Sequence, residues 1–177
     1  EPVPTPPEQT NQKIVRLAAG YSAKALVVDD IEDNRDVLAQ VLTDINVEVT
    51  TCGDGRQAIN LVRQNRFDIV FMGLRMSNMD GPAAAQQIWE RVGRDGIKIV
   101  AVSASVMVHQ ETWYLSAGFD AFIGKPFLTG DIYSCLAQLL RVEYEYVSDA
   151  EASEFSDISL PADLLVRLKA AAHFGEF

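Results

Sequence analysis

The chain has 177 residues, 48% of them hydrophobic, and a formal net charge of −10. That length holds one well-buried α/β domain with extensions, and two full domains would be a tight fit. The acidic balance argues against a nucleic-acid surface, which draws its affinity from clustered Lys and Arg. No apolar run approaches the roughly 20 residues needed to cross a bilayer, and Glu1-Pro2-Val3-Pro4 is unlike a signal peptide, so the chain reads as cytosolic, without membrane contact.

The first ten residues contain four prolines and no apolar periodicity, which reads as an extended linker arriving from something upstream. Lys13 to Ala18 looks like a strand. From Ala25 onward, short apolar runs alternate five times with amphipathic stretches, the pattern of consecutive β-α units around a parallel sheet. The expected strands are Ala25–Val28, Val47–Thr50, Ile69–Met72, Ile97–Val102 and Ala121–Ile123. The first and third are apolar throughout, as central strands covered on both faces should be, and the mixed second and fifth suit edges.

Between the strands, Val37, Leu38, Val41, Leu42 and Ile45 recur at helical spacing, as do Ala58, Ile59 and Val62, and then Ala85, Ile88, Trp89 and Val92. The fourth helix, Val106 to Ala117, is weakly patterned. Ile132, Cys135, Leu136, Leu139 and Leu140 make the fifth amphipathic. Arg141 to Val147 alternates like a strand and is expected to pair with Lys13–Ala18 as an added ribbon. Asp149 to Ser159 reads as an acidic linker, and Leu160 to Lys169 as a last helix. The expected divisions are thus 1–23, a linker with an extra strand; 24–140, a doubly wound domain; and 141–177, an extension. Cys52 and Cys135 show no metal or disulfide spacing and read as buried hydrophobes. Trp89 and Trp113 read as packing residues, and His109 and His173 are isolated.

Parallel sheets place working residues at the C-terminal ends of their strands. Here the first strand ends in Asp29-Asp30, the third in Gly73 and the fourth in Ser103, and the fifth runs into Lys125-Pro126. Two carboxylates, a hydroxyl and an ammonium in one crevice suit a divalent cation with a phosphoryl group. An attacking carboxylate is missing.

The motifs Leu26-Val27-Val28-Asp29-Asp30, Asp68 to Met72 followed by Met79-Asp80-Gly81, Val102-Ser103-Ala104 and Gly124-Lys125-Pro126-Phe127 occur in this order. With them the chain resembles a two-component receiver domain over roughly Lys24 to Leu140, and its flanks are similar to those of the C-terminal receiver of bacterial hybrid sensor kinases. The resemblance implies a flavodoxin-like sheet of five parallel strands in the order 2-1-3-4-5, with helices on both faces. It makes Asp29 and Asp30 Mg²⁺-binding acids with the Arg75 backbone carbonyl, Ser103 the phosphoryl-sensing hydroxyl, Lys125 its counter-ion and Phe122 the switch aromatic. Gly73 occupies the phosphoacceptor position, and Ser77 stands where the family usually has proline. The partners implied are histidine kinase domains of the same or a partner protein, with a homodimer as a further option.

Glycine offers no nucleophile and removes one metal ligand, so phosphorylation is not expected and Mg²⁺ binding should be weak. Asp68 begins its strand about five residues from Gly73, too far to substitute at ~3.3 Å per residue. Asp80, at the far end of the loop, is placed to cap the third helix or fix its turn. Lys125 is expected to pair with Asp29 or Asp30, and the loop from Gly73 to Gly81 to gain freedom. Two other readings fit less well. A phosphohydrolase using Asp29 commonly wants a second carboxylate two residues on, where this chain has Ile31. A flavin site would meet a repelling Asp-Asp-Ile-Glu-Asp loop.

Overall fold

A computed structural model describes residues 12–104 and 108–148. The expected N-terminal linker, the 149–159 linker and the Leu160–Lys169 helix lie outside the described residues. The chain divides into a unit of residues 15–145 and a second unit made from both ends. The element order is β1 (Gln12–Leu17), β2 (Lys24–Val28), α1 (Glu32–Thr43), β3 (Glu48–Cys52), α2 (Gly55–Gln64), β4 (Ile69–Gly73), α3 (Gly81–Val92), β5 (Lys98–Ser103), α4 (Val108–Ala117), β6 (Ala121–Gly124), α5 (Thr129–Leu140) and β7 (Tyr144–Ser148).

Five parallel strands form one sheet in the order β3-β2-β4-β5-β6, and β1 pairs with β7 in a separate two-stranded sheet. Counted without β1, the large sheet has the expected order. Its central strands are the apolar ones: β4 is buried at every residue, and β2 at all but Lys24. The mixed strands β3 and β6 take the edges, and each has one buried residue, Cys52 and Ile123. Register follows directly, with Val27 opposite Phe71 and Phe71 opposite Val100.

Strand alternation splits the core between two helical layers. Leu26, Val70, Met72 and Ile99 pack with Ala58 and Val62 of α2 and Ala84, Ala85, Ile88 and Trp89 of α3. Their strand neighbours Val27, Phe71 and Val100 point to the other face, covered by α1 and α5, which contact each other. Each fully buried Leu, Ile or Phe contributes about 1.5–3 kcal/mol from apolar burial.

Helix starts and strand edges are fixed by acids. Asp54 caps α2 by accepting from the Gln57 N–H at 2.9 Å, and Asp80 caps α3 by accepting from Ala83 N–H at 2.8 Å, as its position suggested. Asp68 works at the opposite edge of the sheet, where its carboxylate accepts from the Lys24 backbone N–H at 2.8 Å. The ribbon differs from expectation at its ends. Arg141 adopts a left-handed conformation, φ 55°, that stops α5, so β7 begins three residues later than the alternation suggested. Arg16 and Glu145 pair across the ribbon at 2.6 Å, and the Leu17 N–H donates to the Ile45 carbonyl.

Cys52 and Cys135 are both buried. Loss of hydration pushes each thiol up from 9.0 to about 11. A raised folded-state value favours the protonated thiol. The resulting stabilisation is complete below about pH 9 and is lost as the pH rises through about 11. At pH 8 a thiol reagent should label both positions slowly in the native chain and quickly in urea; rapid native labelling would contradict the burial.

Candidate functional site

The parallel sheet brings the C-terminal ends of β2, β4, β5 and β6 to one edge, and a cleft of about 860 Å³ opens there. Asp29, Asp30, Gly73, Arg75, Ser103 and Lys125 all line it. Six of the seven residues singled out from the sequence therefore converge. Phe122 does not line the cleft. It lies on β6, half-buried, with its ring stacked on Tyr114 of α4 at 6.0 Å between centroids.

Asp29 is 7% exposed, and the chain engages both of its oxygens. Oδ1 accepts from the Ile31 N–H at 3.0 Å and from Asn34 Nδ2 at 3.2 Å. Oδ2 pairs with the Lys125 ammonium. The backbone is held as well: the Asp29 N–H donates to the Cys52 carbonyl at 3.3 Å, and Arg35 Nη1 donates to the Asp29 carbonyl at 2.7 Å. Asp30 is exposed, and its Oδ2 accepts from the Ser77 N–H at 3.2 Å. These carboxylates thus differ in role, the first locked in place and the second linked to the β4–α3 loop.

Lys125 is positioned by its own backbone, whose N–H donates to the Ser103 carbonyl at 2.7 Å. The Lys125-Pro126 peptide is cis. Ser103, 9% exposed, ends β5 opposite Gly124. These contacts couple β5, β6 and β2 through one lysine.

Gly73 is the last residue of β4 and uses no positive φ, so conformational freedom is not what the position requires. Close approach is. A Cβ at Gly73 would lie 2.9 Å from the Val28 carbonyl oxygen and 3.5 Å from Asp29 Oδ2. Any side chain here needs the Val28 carbonyl to shift. The following loop is tied down by the Gly81 N–H donating to the Leu74 carbonyl at 3.0 Å, besides the Asp30–Ser77 contact.

A divalent cation would find a donor set that fits only in part. Mg²⁺ takes carboxylate and carbonyl oxygens with water, and Asp29, Asp30 and the Arg75 carbonyl supply that chemistry. Yet Asp29 already holds an ammonium, and among the described residues no three His, Cys, Asp or Glu side chains gather closely enough to hold a metal. Sequence reasoning missed Asn34 and Arg35. Their signal was spacing: five and six residues beyond Asp29, they fall on the first turns of α1, which starts beside the cleft.

Several known proteins are similar to this chain. The family model for the response regulator receiver domain matches residues 25–137. The sensor histidine kinase RcsC of Salmonella typhimurium is 35% identical over 127 residues, covering 72% of this chain and 13% of RcsC. The sensor protein GacS of Pseudomonas syringae is 34% identical over 106 residues, covering 58% of this chain and 12% of GacS. The chain thus spans about an eighth of the length of these sensor proteins. The solved receiver domain of sensor histidine kinase PA1611 from Pseudomonas aeruginosa, with a magnesium ion in its active site cleft, superposes with TM-score 0.62 at 26% identity. That match covers 68% of this chain and 99% of that one. Among the described residues no helix is long and apolar enough to cross a membrane.

Removing the Lys125 ammonium leaves the Asp29 carboxylate buried with neutral donors alone. Lys125→Met should cost about 1–3 kcal/mol in urea unfolding, and much less when introduced into Asp29→Asn. Equal costs in the two backgrounds would show that the pair contributes no coupling.

Proposed function

The chain belongs to the response regulator receiver domain family, and from that premise we propose that it is the C-terminal receiver of a bacterial hybrid sensor kinase with Gly73 at the phosphoacceptor position. In this form it accepts no phosphoryl group and acts through protein contacts. The observation that carries the reading is Gly73 itself, lying between Asp29, Ser103 and Lys125 in the cleft with no carboxylate of its own.

Aspartyl phosphorylation needs a carboxylate attacking in line while a cation neutralises the phosphoryl oxygens. The nearby acids have other tasks. Asp68 serves the far edge of the sheet, Asp80 caps α3, and both oxygens of Asp29 accept from donors of the chain. The same engagement disfavours a phosphohydrolase with Asp29 as nucleophile.

Asp29, Asp30 and the Arg75 carbonyl would hold Mg²⁺, which would supply charge neutralisation, and the Lys125 ammonium competes for Asp29. Binding is therefore weak. Ser103 and Lys125 are the remnants of phosphoryl recognition, and Phe122 is the switch aromatic, resting against Tyr114. The likeness to RcsC and GacS supports histidine kinase domains of the same or a partner protein as partners; the receiver proper is taken as residues 24–140, around the family match at 25–137.

Acetyl phosphate with Mg²⁺ should leave the intact mass of this chain unchanged. A base-labile phosphoryl adduct would overturn the reading.

Gly73→Asp tests the scaffold separately. Its Cβ crowds the Val28 carbonyl, and its charge joins Asp29 and Asp30, so the variant should lose about 1–3 kcal/mol in the presence of chelator. Mg²⁺ should restore more stability to it than to the glycine protein, by linkage. An equal Mg²⁺ response in both proteins would show that the remaining ligands are not arranged for a cation.

A further inference from the structure

The helices α2 and α3 lie side by side on the face away from α1 and α5, and a second cleft of about 420 Å³ opens between them. It is lined by Ile59 and Arg63 from α2 and by Gln87, Glu90 and Arg91 from α3. Two of its lining residues are arginines. Lys24, Lys98, Lys125 and Arg16 are each paired with an acid, whereas among the described residues the side chains of Arg63 and Arg91 make no ion pair, as is also true of Arg56, Arg66, Arg75 and Arg141. The one acid of the lining, Glu90, accepts from Gln86 Nε2 at 2.9 Å along its own helix.

Charge is also segregated between helices. Together α2 and α3 carry Arg56, Arg63 and Arg91 against Glu90 alone, while α1 carries Glu32, Asp33 and Asp36 against Arg35. In a chain of net charge −10, an acidic partner is repelled by most of the surface and admitted at this face. The helix ends do not supply the attraction. Arg63 and Arg91 sit in last turns, where the dipole favours the cation itself, so recognition falls to the guanidinium forks, which match carboxylate geometry.

We propose that this cleft binds an acidic segment of a partner protein, with Arg63 and Arg91 each taking one carboxylate, Gln87 adding a neutral donor and Ile59 packing the methylenes between. The proposal goes beyond the phosphoryl site and stands whatever the role of Gly73.

The test is titration of the isotope-labelled full chain with hexaglutamate, followed by amide chemical shifts, with inorganic phosphate and hexalysine in parallel. Both arginines are exposed, so Arg63→Gln with Arg91→Gln should fold normally. The expected result is saturable shifts confined to α2 and α3. Their midpoint should move roughly tenfold in the double variant, remain in place in Arg141→Gln, and weaken with added salt. Shifts spread over the whole surface, or an unchanged midpoint in the double variant, would overturn the proposal. Phosphate saturating as tightly as hexaglutamate would overturn it too, by making the cleft a small-anion site.

Discussion

The ion pair between Lys125 and Asp29 joins residues 96 apart in sequence and closes the working edge of the sheet. It depends on β2 and β6 ending at the same edge, which the parallel order imposes, and on Ser103 fixing the lysine backbone. In turn it decides what the cleft can do. A buried carboxylate needs a counter-charge or several donors, and Asp29 has both. In the proposed reading, what holds the site together also withdraws Asp29 from a metal ion.

Gly73 gives this arrangement its meaning. With a third carboxylate in the cleft, one ammonium would face three acids, and a cation would be needed to balance them. Without it, the ammonium pairs the buried Asp29, and the second acid, Asp30, is exposed to water. The close approach of the Val28 carbonyl to Gly73 belongs to the same arrangement, since a side chain there would require that carbonyl to shift. In the proposed reading, the chain keeps the receiver framework and forgoes its chemistry, leaving surfaces such as α4, β6 and α5 for contact with partners.

Much of the fold was legible because parallel strands buried on both faces must be apolar throughout, as Ile69–Met72 is, and because capping acids such as Asp80 act locally. The strand ends could likewise be read as one site, since the topology fixes which ends meet. Less legible were contacts set by side-chain reach. Nothing in the sequence shows that Arg35 turns back to the Asp29 carbonyl, or that Ser77 offers its backbone N–H to Asp30. Trp113, read as a packing residue, is 57% exposed and touches Tyr114 by its edge; α4 is the helix whose pattern was weakest, and there periodicity could not say which side faces inward. Gly73 was legible as an absence, but its lack of room became visible only in three dimensions.

Calorimetric titration of Mg²⁺ into this chain and into Lys125→Met asks whether the lysine competes with a cation for Asp29. Weak binding to the chain as it stands and tighter binding once the ammonium is gone are expected. Tight binding to both, or weaker binding in the variant, would contradict this competition.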